Sequence, residues 1–102
     1  MLNLEYFKHQ LLDELNGGEC YIKLAIESKA TKPQWAKTLY DMGLAELNHA
    51  TNIYHMAEDC YKTQISAYTA TPEYLTELWE CIASEYTNGY SKVKFMQECY
   101  GK

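Results

Sequence analysis

A glutamate and a histidine lie three residues apart in the middle of an otherwise apolar stripe. The stripe advances by alternating steps of four and three residues and contains Trp35, Leu39, Met42, Glu46, His49, Ile53, Met56 and Cys60. This spacing places its members on one face of an α-helix. A carboxylate and an imidazole are costly to bury among apolar side chains unless something compensates them. A metal ion is the usual compensation for Glu-x-x-His on a bundle helix, so the sequence predicts a metal site at Glu46 and His49.

Two other segments each place a single acid on a predicted apolar helix face. Glu19 interrupts the stripe near the N-terminus, and Glu85 interrupts the stripe near the C-terminus. With a rise of about 1.5 Å per residue and antiparallel neighbours, both acids lie within roughly one helical turn of Glu46. Glu14 lies at the edge of the first stripe and is the substitute candidate there. We therefore predict a polar layer inside the bundle whose metal ligands are Glu19, Glu46, His49 and Glu85.

Such a layer of buried acids can be tolerated in three ways. Strong desolvation can keep the acids protonated, buried cations can pair with them, or metal ions can bind them. No lysine or arginine lies on these stripes near the level of the acids, which favours metal ions. Carboxylate oxygens and one imidazole suit iron or manganese, and zinc stays open. The structural alternative is an amphipathic helix whose polar seam residues only specify a register.

Three long helices have to position these side chains. The two prolines, Pro33 and Pro72, both look like first-turn residues of helices, and Thr71 is placed to cap the last helix. We predict helices at about 3–28, 33–63 and 72–99, with no strand, in one all-α domain that spans residues 1–102. Short connections make neighbouring helices antiparallel. Gly17-Gly18 either breaks the first helix or lets a neighbouring backbone pack closely beside it.

The composition is that of a globular chain and argues against several classes of partner. Of the 102 residues, 47% are apolar and 23% are charged, and the net charge is −5. Without a basic patch, a long apolar run or a signal-peptide pattern, we expect no nucleic acid, no membrane and no secretion. The four cysteines form no C-x-x-C pair, so we expect reduced thiols in a cytoplasmic protein, with a disulfide framework as the alternative. The ten tyrosines are expected to pack in the core and at interfaces, and the alternative is a role beside the metal.

The pair Gly18-Glu19, followed by Glu46-Leu47-Asn48-His49 on the next helix, resembles a known arrangement. It is similar to half of the metal site in the ferritin-like di-iron carboxylate superfamily, and the rubrerythrin and encapsulated-ferritin branches come closest. The resemblance covers about residues 8–60. It implies that Glu19 is a terminal or bridging carboxylate, Glu46 the bridging carboxylate and His49 the imidazole ligand. Glu85 resembles the glutamate of the family's third helix, but Asn88 stands where a histidine is expected.

The chain departs from this family because it supplies no fourth helix with a second Glu-x-x-His. Two copies of Glu19, Glu46 and His49 would reproduce the four carboxylates and two histidines of a di-iron bundle, and a two-fold dimer brings two copies together. The resemblance therefore implies a ferritin-like antiparallel bundle completed by a homodimer, with ferroxidase or iron-handling activity. The alternatives are a non-catalytic module that self-associates or binds a partner helix, and a di-metal peroxidase or hydroxylase.

Overall fold

Three long helices and two short connections make up the protein. The computed structural model describes residues 2–102, in which α1 spans Leu4–Ser28, α2 spans Pro33–Ile65 and α3 spans Glu73–Gly101. Each helix end lies within two residues of its predicted position, and residues 2–102 contain no strand. None of the helices in that range is long and apolar enough to cross a bilayer. The all-α class and the three helices are therefore confirmed.

Residues that favour a helix N-terminus stand at the start of α1 and of α2. The side chain of Asn3 caps α1 by accepting a hydrogen bond from the backbone N–H of Tyr6 at 2.9 Å. Pro33 is the first residue of α2, where a backbone N–H would have no acceptor within the helix, so that its absence in proline costs nothing. Pro72 itself occupies the N-cap position of α3, and no side chain caps that end. The prediction of a Thr71 cap is wrong because α3 begins one residue later than expected.

Small residues bring α1 and α2 into close contact. Helix α2 buries short side chains at seven-residue intervals, namely Ala36, Gly43, Ala50 and Ala57. A Cβ atom added at Gly18 would lie 3.5 Å from the carbonyl oxygen of Gly43, so the two backbones approach closely there. Helix α1 continues through Gly17-Gly18 without interruption. Close packing at this glycine pair is therefore confirmed, and the alternative of a helix break is wrong.

The apolar stripe of α2, which runs from Trp35 to Cys60, is not the buried face of that helix. Trp35, Met42 and Met56 are 63%, 41% and 48% exposed. The small buried residues each lie one position beyond a stripe residue, and they make the contact with α1 because short side chains allow the helix axes to come closer. The prediction that the whole stripe faces inward is therefore wrong. Ile53 and Cys60 are nevertheless partly buried against the core, so the α2 stripe lies at the border between the buried and the exposed face of the helix.

Aromatic rings fill the contact between α2 and α3. Tyr54 of α2 stacks on Trp79 and Tyr86 of α3, with ring centroids 5.4 and 4.2 Å apart. Tyr61 also stacks on Trp79, at 5.2 Å. The hydroxyl groups of Thr51 and Tyr86 are hydrogen-bonded at 2.9 Å. These contacts confirm the expectation that tyrosines pack within the fold, and they attach α3 to α2.

Candidate metal centre

Glu14, Glu46 and His49 form a cluster in the groove between α1 and α2. Glu14 comes from α1, and the other two residues lie one turn apart on α2. One ligand atom from each side chain lies within 4.8 Å of the other two. Nδ1 of His49 is 3.4 Å from Oε2 of Glu14. The three side chains, which we call the triad, therefore offer two carboxylates and one imidazole to a single point.

The close contact of α1 and α2 leaves room for the triad. Gly17 lies one turn beyond Glu14 on α1 and faces the side chain of Glu46. A Cβ atom added at Gly17 would lie 2.9 Å from Oε2 of Glu46, which is too close for the carboxylate to keep its position. The absence of a side chain at Gly17 therefore lets Glu46 reach toward Glu14.

The surroundings of Glu46 favour its protonated form. A hydrogen bond with the Glu14 carboxyl group, desolvation and repulsion by Glu14 raise the pKa of Glu46 from 4.5 to about 7, and attraction to His49 offsets part of this rise. Oε2 of Glu14 is buried and has no hydrogen-bond partner among residues 2–102. The lysine ion pairs found in the same range are formed elsewhere. The only basic side chain that these pairs place beside the acids of the triad is therefore His49, and no lysine pairs with them in the described range.

The triad is open to solvent on one side. The side chain of His49 is 54% exposed, and that of Glu14 is 22% exposed. Three protein ligands leave an ion with free coordination positions, because iron, manganese and zinc all take four or more ligands. A metal ion bound here would receive its protein ligands only from the side formed by α1 and α2. The open side of the triad therefore has space for solvent or for further ligands.

Glu19 lies on a different side of α1 from Glu14, and Glu85 belongs to α3. Glu14 and Glu19 are five residues apart, which separates them by roughly 140° around the helix axis. Oε1 of Glu19 is 2.8 Å from Nζ of Lys92. Glu85 is exposed, and together with Glu19 it borders a groove of about 220 Å³ between α1 and α3. The predicted layer of three inward acids is therefore not formed, and Lys92 supplies Glu19 with a cation that was not expected at that level.

Glu14 occupies the place that was predicted for Glu19. The prediction put Glu19 on the inward face of α1, whereas the contact with α2 is made around Gly18. The signal that would have identified Glu14 is the seven-residue spacing of Gly43, Ala50 and the other small residues of α2. That spacing marks the face of α2 that meets α1.

The donor types of the triad fit a transition-metal ion. Carboxylate oxygens together with one imidazole nitrogen suit iron, manganese or zinc. A bound divalent cation would also compensate the unpartnered Oε2 of Glu14 and displace the proton that Glu46 holds. The same side chains that are poorly compensated without an ion are therefore the ones that could ligate it.

Comparisons with known proteins return no relative. No family model matches the chain, no curated protein matches it, and no solved structure matches it.

Proposed function

We propose that this chain is a ferritin-like metal-binding protein whose di-iron site is shared between two copies. The observation that carries the proposal is the convergence of Glu14, Glu46 and His49 within 4.8 Å. Two triads contain four carboxylates and two histidines, which is the ligand set of a di-iron bundle. In this proposal Glu14 takes the role that the resemblance assigned to Glu19. A homodimer that faces the two triads toward each other completes the site.

The α2 stripe supports this dimer because it has the spacing of a coiled-coil seam. Its alternating steps of four and three residues make a seven-residue repeat, and several of its apolar side chains are exposed. Glu46 and His49 lie at its centre, with three apolar or soft residues on either side. A two-fold axis between Glu46 and His49 would lay two stripes against each other in antiparallel orientation. This pairing would remove a long apolar strip from water.

The antiparallel pairing aligns residues that are equally far from the centre of the stripe. The opposite pairs are Glu46 with His49, Met42 with Ile53, Leu39 with Met56, and Trp35 with Cys60. Glu46 of each copy thus lies opposite His49 of the other, so the two triads meet at the axis. Every other pair joins apolar or soft side chains, which is the composition expected of a stable seam.

The side chains of the triad prepare the site for Fe(II). Glu46 releases its proton when a cation binds, Glu14 adds a second carboxylate, and His49 contributes a ring nitrogen. When bound, iron supplies one-electron chemistry with dioxygen or peroxide as the oxidant. A groove of about 500 Å³ lies at the Cys60 end of the stripe, and no residue of the triad lines it. Ferroxidase activity with Fe(II) as the substrate is therefore proposed over hydroxylation of an organic molecule.

The state of the four cysteines indicates which cellular compartment suits the protein. Cys20, Cys60, Cys81 and Cys99 are all free, so the disulfide framework is not formed within residues 2–102. Free thiols suit a reducing compartment. A cytoplasmic location therefore stays part of the proposal.

Metal analysis of matched variants tests the site. Protein purified anaerobically with Fe(II) should hold about one iron per chain, as expected for two ions per dimer. Glu14→Gln, Glu46→Gln and His49→Ala should each lose most of this iron. Glu19→Gln is the matched control, because it removes a carboxylate from the same helix but from another side. Equal loss in Glu19→Gln, or full occupancy in Glu14→Gln, would contradict the triad as the ligand set.

Two further measurements separate the proposed activity from its alternatives. Oxygen uptake that depends on Fe(II) alone supports a ferroxidase, whereas rapid consumption of peroxide would favour a peroxidase. A protein that forms an intact dimer but binds no metal would favour a non-catalytic self-association module.

A further inference from the structure

An apolar groove lies at the end of the α2 stripe farthest from Trp35. It has a volume of about 500 Å³ and lies between the start of α1 and the last turns of α2. Phe7, Met56 and Cys60 line it, and Asp59 adds one carboxylate to the lining. The groove is therefore suited to a large apolar side chain, with a place for one positive charge beside it.

Trp35 is the largest side chain that the α2 stripe exposes. It lies in the first turn of α2, and Nζ of Lys32 lies 4.8 Å from the centroid of its ring. Tryptophan is the residue type most enriched among the strongest contacts of protein interfaces, because it buries a large area with little loss of conformational freedom. An exposed indole with an ammonium group over it therefore offers a partner both apolar surface and charge.

We propose that Trp35 of a second copy fills this groove. The inference rests on the proposed antiparallel pairing of the α2 stripes, in which the residue opposite Trp35 is Cys60. The pairing is symmetric, so each dimer has two such contacts, one at each end of the seam. Lys32 accompanies Trp35 and brings its ammonium group to the groove that contains Asp59. The two surfaces are therefore matched in apolar character and complementary in charge.

Tryptophan fluorescence can test this contact, because the chain has two tryptophans. The Trp79→Phe variant leaves Trp35 as the single reporter and keeps an aromatic ring in the α2–α3 stack. Zn(II) serves as a redox-inert metal probe. As dimer forms with rising protein concentration, the emission of Trp35 should shift to shorter wavelength and become less accessible to acrylamide.

A disulfide test measures the register of the seam. Cys60 is kept, the other three cysteines are replaced by serine, and Trp35→Cys supplies the proposed partner of Cys60. Mild oxidation should produce a covalent dimer on a non-reducing gel, because a disulfide requires Cα atoms within about 7 Å. Leu44→Cys in the same background is the matched control, since it lies on α2 but off the stripe, and it should remain uncrosslinked.

The outcomes separate this contact from the shared metal site. If a zinc-loaded dimer forms but Trp35 keeps the emission of an exposed indole and Trp35→Cys gives no crosslink, the groove contact is overturned and the metal site remains. If neither metal binding nor dimer is found, both proposals are overturned. Trp35→Ala should raise the dimer dissociation constant by about tenfold or more while the triad still binds zinc. An unchanged dissociation constant would contradict the groove contact.

Discussion

The raised pKa of Glu46 links the stability of the metal-free protein to pH. A hydrogen bond with Glu14, desolvation and repulsion raise the pKa of Glu46 from 4.5 to about 7 in the folded chain. Between these two values the folded protein holds a proton that the unfolded chain has released. The resulting stabilisation is fully present below about pH 4.5 and is lost as the pH rises through 7.

We expect the melting temperature of the metal-free protein to fall between pH 5 and pH 8, and the Glu46→Gln variant to show a flatter profile. Partial exposure limits the effect to about 1 kcal/mol, which is roughly 4–8 °C for a domain of this size. Thermal melts in the presence of a chelator measure both profiles. Glu85→Gln, which changes an exposed acid, should keep the wild-type slope. A Glu46→Gln slope equal to that of the wild type would show that Glu46 does not carry this pH dependence.

At the scale of the helices, the contact between α1 and α2 decides which acids meet. The small residues of α2 let the two backbones touch, and Gly18 meets them on α1. Glu14 lies about one turn before Gly18, and Glu46 about one turn after Gly43, so antiparallel helices bring both carboxyl groups into the same groove. The glycines of this contact have different surroundings, and substitutions at them should therefore have different consequences.

Gly43→Ala should destabilise the fold. An added Cβ atom would lie 2.5 Å from Cδ1 of Ile22 and 3.3 Å from the carbonyl oxygen of Gly18. Ile22 is fully buried, so α1 and α2 would have to move apart. We expect a loss of about 1–3 kcal/mol in the free energy of unfolding, measured by urea denaturation, in spite of the better helix propensity of alanine. A gain in stability would contradict the close contact.

Gly17→Ala should weaken metal binding without weakening the fold. The added Cβ atom would meet only the side chain of Glu46, with its Oε2 at 2.9 Å, and this flexible end can rotate away. Stability should stay unchanged or rise by up to about 1 kcal/mol through helix propensity, while the affinity for Zn(II) falls. Chelator competition measures the affinity. Asn16→Ala, an exposed neighbour, should gain propensity and bind zinc normally. Zinc binding as tight as in the wild type would show that Glu46 is not a ligand in its present position.

The whole molecule is a thin layer of helices that leaves the α2 stripe uncovered. Its Cα atoms extend over 58 × 22 × 14 Å, and the radius of gyration is 16.3 Å. A compact domain of this length has a radius of gyration of about 13 Å. The accessible surface of 6521 Å² likewise exceeds the roughly 6,000 Å² expected for a monomer of this mass. A second copy packed against the stripe would make the assembly more compact. It would also cover the open side of the triad.

Met42→Glu should prevent dimer formation and leave the monomer folded. Met42 is on the stripe and 41% exposed, so a charge there is tolerated in water but not in an apolar seam opposite Ile53. Leu44→Glu is the matched control, because Leu44 is 37% exposed on the same helix but off the stripe. Sedimentation of zinc-loaded protein measures the dimer, and circular dichroism verifies the helices. A Met42→Glu protein that still dimerises as tightly as Leu44→Glu would exclude the stripe as the interface.

The sequence by itself determined the features that depend on residues close together along the chain. The apolar periods and the positions of Pro33 and Pro72 located the three helices to within two residues, and the three-residue spacing of Glu46 and His49 required them to share a helix face. Only the tertiary structure decided that Glu14 completes the triad, because the rotation of α1 against α2 depends on backbone contact between small residues far apart in the chain. It also decided that Trp35, Met42 and Met56 of the stripe are exposed. A regular spacing of apolar residues shows that one helix face needs a packing partner. The spacing does not distinguish a partner helix of the same chain from a second copy of the chain.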